Sequence, residues 1–106
     1  MSKDGSFVSV SVPDAVKTAL VEFFHGLGRD LDANDDEMDL ITSTGASSDE
    51  GIDFAIDLSN ILAADIPNDF NPFVHPSGRR GMKLRELIEF ADRFVTATKE
   101  AGHGGR

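Results

Sequence analysis

The stretch 45–67, GASSDEGIDFAIDLSNILAADIP, carries the clearest structural signal in the chain. Ser47 and Glu50 stand at the spacing of a capping box, with a hydroxyl at the cap and a carboxylate three residues on. Asp49 and Glu50 suit the positive end of a helix dipole. Ile52, Phe54, Ala55, Ile56, Leu58, Ile61 and Leu62 then cover most of the helical circumference. One polar stripe remains, formed by Asp49, Asp53, Asp57 and Asn60. The pattern predicts a helix from about Ser48 to Ala63, central in the fold, with one narrow face to water. Ile66-Pro67 closes it. Gly51 is unusual in a first helical turn, where it costs roughly 0.5–1 kcal/mol against alanine.

Upstream, residues 29–47 read as a long acidic connection whose large apolar anchors are Leu31, Met38, Leu40 and Ile41. A loop of this length in a compact domain is functional or is pinned to the core by such anchors. Before it, Pro13-Asp14 opens a helix. Val16, Ala19, Leu20, Phe23, Phe24 and Leu27 form its buried face, and Gly26 and Gly28 end it. FVSVSV (7–12) alternates as a strand would, but has no partner strand, so residues 1–12 are expected to be a flexible N-terminus.

Downstream, NDFNPFVHPSGRRG (68–81) is punctuated by Pro and Gly, with one short helical turn expected around Phe70–Val74. A last helix is predicted from about Met82 to Thr98, burying Leu84, Leu87, Ile88, Ala91, Phe94 and Val95. The tail 99–106 is expected to be disordered. The domain proper therefore spans 13–98, and the fold class is all-α.

The chain has 106 residues, enough for one domain. With 40% apolar and 27% charged residues it has the composition of a soluble globular protein. It has no Cys, which removes disulfides, thiolate metal sites and a thiol nucleophile. No apolar run reaches the roughly 20 residues of a membrane span, and MSKDGSFVSVSVPD does not read as a secretory signal. A cytoplasmic location is expected. The net charge is −9, and residues 29–53 supply −8 of it, nine acids against Arg29. Such a field repels nucleic acid and anionic lipid and attracts basic protein surfaces.

With these elements in this order, the sequence resembles the acyl carrier proteins. Their signature, Gly-x-Asp-Ser-Leu at the start of the second helix, aligns with Gly45-Ala46-Ser47-Ser48-Asp49. The apolar pattern then runs through Ile52, Phe54, Ile56, Leu58 and Leu62 to the same terminal Ile66-Pro67. The resemblance covers about residues 13–96. It implies a four-helix bundle with a long first loop and a short third helix. It implies a non-catalytic monomer in lipid or polyketide biosynthesis. Ser48 would hold a covalent 4′-phosphopantetheine whose thiol bears an acyl group as a thioester. Asp49, Glu50, Asp53 and Asp57 would dock basic surfaces of the phosphopantetheinyl transferase and of acyl-transfer or synthase enzymes. The chain departs from the signature twice, with Ser47 for the Asp and Asp49 for the Leu that helps partners dock.

Two other readings stand beside this one. The same bundle would serve as an interaction module that is not pantetheinylated, or as an acidic, cation-sensing domain. Asp30, Asp32, Asn34 and Asp36 suggest calcium, but an EF-hand needs Gly, an apolar residue and Glu where Asp35, Glu37 and Ile41 stand. His25, His75 and His103 lack metal-ligand spacing. No Gly-x-Ser-x-Gly surrounds Ser47 or Ser48, so the sequence gives no sign of a hydrolase.

Overall fold

A computed structural model describes residues 11–104, with side chains to residue 100. It contains three helices: α1 (Val12–Gly26), α2 (Ser48–Leu62) and α3 (Leu84–Gly104). Residues 1–10, and with them most of the alternating FVSVSV stretch, lie outside the described part.

Each helix begins and ends for a local reason. The Ser11 hydroxyl caps α1 by accepting the Asp14 N–H at 3.2 Å, with Pro13 in the first turn. Gly28, at φ +78°, takes the left-handed position that ends α1, and the Arg29 N–H closes onto the Phe24 carbonyl at 2.8 Å. The capping box of α2 is complete: Glu50 N–H donates to Ser47 Oγ (3.2 Å), and Ser47 N–H donates to Glu50 Oε1 (3.0 Å). Ala63 closes α2 in the left-handed conformation at φ 50°, and the Ser59 hydroxyl donates to the Ala64 carbonyl at 2.6 Å. In α3, Glu86 reaches back to the Lys83 N–H at 3.0 Å, half of a capping box. No proline stops α3 at Thr98, and its helical backbone continues to Gly104, six residues beyond the predicted end.

The architecture corrects two expectations. First, the described residues form three helices, not four. The turn-rich segment 68–83 replaces the expected short third helix. Pro72 and Pro76 have no N–H to give, and the Asn71 side chain takes the Phe73 N–H at 2.9 Å that a helix would use. The segment instead folds back on itself, with Val74 bridged to Gly81 and His75 N–H donating to the Arg80 carbonyl at 2.9 Å.

Second, the central helix is α1, which packs against both α2 and α3. On α2 only Gly51, Phe54 and Leu58 are buried. Ile52, Ile56 and Ile61 remain 56%, 62% and 49% exposed, since no other described helix covers that side.

The acidic loop is pinned as its anchors suggest. Met38 and Leu40 are buried, and Leu31 and Ile41 pack against the core. Leu40 N–H donates to the Met82 carbonyl (2.8 Å), Leu84 N–H to Met38 (3.0 Å) and Met82 N–H to Phe73 (2.8 Å). Glu37 pairs with Arg85 at 2.7 Å and Lys83 at 3.3 Å, so part of the acidic loop neutralises the basic start of α3. Phe23, Phe24, Phe54 and Phe73 stack edge and face in the core, and Phe70, Phe90 and Phe94 form a second cluster against α3.

Candidate functional site

Ser48 is the first residue of α2 and is exposed. Ser47, not Ser48, fills the capping position, so the Ser48 hydroxyl is not drawn into the cap. Ser48, Ile52 and Ile56 follow at i, i+4 and i+8, which sets them in one stripe down the helix. Asp49, Asp53 and Asp57 form the neighbouring stripe, and all three are exposed. The outward face of α2 is thus half apolar and half acidic, with a serine at its head.

Glu50 differs from the other acids. Its carboxylate accepts the Ser47 N–H, and Arg29 Nη1 lies 3.1 Å away. The Ser47 N–H, then Arg29, hold this carboxyl below the usual glutamate range. Glu50 is engaged in holding the helix start to α1's exit, while Asp49, Asp53 and Asp57 face solvent.

An open groove of about 360 Å³ runs along the isoleucine stripe, lined by Ile52, Ala55, Ile56, Ile66, Pro67 and Phe70 among others. A second, of about 490 Å³, shares Pro67 and Phe70 and continues past Asn71 and Val74 to His75 and Phe94. The first is reached one helical turn below Ser48, at Ile52, and the second includes Asn71, whose Nδ2 donates to the Ser48 carbonyl at 2.8 Å. Gly51 now has a reason. A Cβ there would sit 2.0 Å from Asn71 Oδ1 and 3.0 Å from Phe73 Cβ, so only glycine lets this segment cross the first turn of α2.

A phosphate on Ser48 would meet the free N–H groups and positive dipole of the helix start. The carboxylate of Asp49 opposes it, at an exposed position where water and salt screen the repulsion. Ser48 is exposed, and its side chain is not used in the cap.

The remaining candidates have local duties. Asp32 accepts the Asn34 N–H at 3.1 Å and Asp35 the Glu37 N–H at 3.0 Å, both as turn caps. Among the described residues no three His, Asp or Glu side chains form a group able to hold a metal ion. His75 Nδ1 takes the Ser77 N–H at 3.1 Å, and its Nε2 lies 3.9 Å from Glu86. His25 is exposed in the last turn of α1. No described helix is long and apolar enough to cross a membrane.

Sequence reasoning missed Asn71 and the exposure of Ile52 and Ile56. The misplaced glycine at 51 was the available signal for the first. No signal existed for the second, since periodicity identifies an apolar face without saying what covers it. No protein-family model matches the chain, and no curated protein or solved structure does.

Proposed function

We propose that the chain is a non-catalytic carrier, with Ser48 as the attachment point of a 4′-phosphopantetheine arm. The observation that carries this reading is an exposed serine, not used in the helix cap, at the head of the Ile52–Ile56 stripe, one turn above a largely apolar open groove that begins at Ile52. When bound, the arm supplies a thiol that holds an acyl group as a thioester. The chain's own residues do the rest. The start of α2 holds the serine outward, and Ile52, Ile56, Ile66 and Phe70 offer an apolar bed for a chain carried on the arm. Asp49, Asp53 and Asp57 attract basic surfaces of the transferase and of acyl-transfer or synthase enzymes. Such contacts are individually weak but raise association rates and select partners. A carrier that visits several enzymes needs contacts of that kind.

In this reading the chain is a cytoplasmic monomer of acyl-carrier type. The turn segment 68–81 stands where the carrier bundle has its short third helix. The reading is tested by intact mass after co-expression with a broad-specificity phosphopantetheinyl transferase. The expected result is one added arm that disappears in Ser48→Ala. An unchanged mass, or an addition that survives Ser48→Ala, overturns it.

One observation favours a second reading. The mixed apolar and acidic face of α2 would dock a partner whether or not Ser48 is modified. If the mass is unchanged, the same surface supports an interaction module for a basic, partly apolar partner.

A further inference from the structure

We infer that Asn71 is the positioning residue of the serine site, an inference that rests on the carrier reading of Ser48. The orientation of its amide is fixed by its partners. The Phe73 N–H, which can only donate, lies 2.9 Å from Oδ1. Nδ2 is therefore the atom 2.8 Å from the Ser48 carbonyl, and it donates there. Both ends of the side chain are engaged, and the amide lies against the bare Cα of Gly51.

This contact does something the capping box does not. Ser47 and Glu50 tie the helix start to itself, within four residues of chain. Asn71 ties the same turn to a segment 23 residues away. First helical turns otherwise open readily, because their N–H groups lack helical partners. Held by both devices, the first turn keeps the Ser48 hydroxyl at a fixed height and direction. The latch also joins the serine to the stretch that lines both grooves, since Pro67, Phe70 and Asn71 belong to it.

Arm attachment depends on that geometry. The serine oxygen bonds to the phosphorus bearing the pantetheine of coenzyme A, and the pyrophosphate P–O bond breaks. Adenosine 3′,5′-bisphosphate leaves with the electron pair, and the hydroxyl proton passes to a base of the transferase. Displacement of the attacking oxygen by about 1 Å is enough to slow such a step by orders of magnitude.

Three variants of the full chain separate positioning from general stability. Asn71→Ala removes both bonds. Asn71→Asp keeps an acceptor for the Phe73 N–H but loses the donor to Ser48. Ser59→Ala removes the 2.6 Å bond to Ala64 at the far end of the same helix. The first readout is kcat/KM of the transferase for each chain with coenzyme A. The second is hydrogen exchange of the Gly51 and Ile52 amides, measured without any arm. Asn71→Asp is expected to lower kcat/KM about tenfold and to speed exchange about as much, the loss of one hydrogen bond, and Asn71→Ala, which loses two, at least as much. Ser59→Ala should leave both readouts near wild type.

Asn71 variants that match wild type, or that fall no further than Ser59→Ala, overturn the inference while the carrier reading stands. Unaltered exchange at Gly51 and Ile52 overturns it equally. A wild-type chain that takes up no arm overturns the carrier reading itself, and the inference falls with it.

Discussion

Asn71 Oδ1 lies where a side chain on Gly51 would have to be: a Cβ built on Gly51 falls 2.0 Å from that oxygen. The pair explains why a helix start tolerates its worst non-proline residue. Gly51→Ala gains up to about 1 kcal/mol of helix propensity. It must also displace the Asn71 amide and crowd Phe73, and overpacking of this kind costs about 1–3 kcal/mol. The expected net effect is destabilisation, read as a lower urea midpoint. A raised midpoint would show that the first turn has slack the geometry denies.

The other end of α2 offers the opposite case. Ala63 sits at φ 50°, a left-handed conformation that costs an L-residue about 1–2 kcal/mol. Ala63→Gly relieves that strain but loses about 0.4–1 kcal/mol through the freer unfolded chain. Relief outweighs loss, so the variant should be more stable by about 0.5–1 kcal/mol. Thermal melting checks it, and a lower melting temperature would contradict it.

How much of this was legible depends on the range of each interaction. The Ser47–Glu50 capping box joins residues three apart, so its spacing was visible in the sequence and both of its bonds are present. Met38 and Leu40 were identifiable as anchors because they are apolar in an acidic loop, and both are buried. The short helix at 70–74 was misread because Asn71 satisfies the Phe73 N–H locally, at a range that composition does not reveal. The central place given to α2 failed for a different reason. Its apolar residues surround the helix, but burial needs neighbours on each side, and among the described residues too little packs over Ile52 and Ile56 to bury them. Ser48 was singled out from the start of that helix, whereas the residue that bonds its carbonyl, Asn71, lies 23 residues on and no local pattern joins them.

Glu86 ties α3 to the turn before it. Arg80 meets its carboxylate through two bonds, at 2.9 and 2.7 Å, and the Lys83 N–H adds a third. Arg80 first, then the Lys83 N–H, lower its pKa from 4.5 to about 2. The folded value lies below the unfolded one, so this stabilisation is fully present above about pH 4.5 and is lost as the pH falls through about 2. Glu86→Gln should cost about 1–2 kcal/mol at neutral pH, in the range of charge-assisted hydrogen bonds. Glu37 and Glu50 are also held low and weaken the fold in acid in both chains. The readout is therefore the difference between the two chains in urea midpoint. It should narrow as the pH drops from 4.5 toward 2. A gap independent of pH across that window would mean that Glu86 acts through packing and not through its charge.

The outward face of α2 is expected to be dispensable for folding. Phe54 is fully buried against Phe23 and Phe73, so Phe54→Ala should cost about 3–5 kcal/mol. Ile52 and Ile56, two residues to either side and so on the opposite face, are more than half exposed. The double change Ile52→Gln, Ile56→Gln should shift stability by no more than about 0.5 kcal/mol per site. Asp53→Asn with Asp57→Asn should shift it as little, since both carboxylates face solvent. If the face serves a partner, both double variants keep a wild-type melting temperature and lose transferase efficiency, the acidic pair more steeply at low salt. A melting temperature that falls as far in the isoleucine variant as in Phe54→Ala would mean that the stripe is covered in solution, and the docking surface would have to be sought elsewhere.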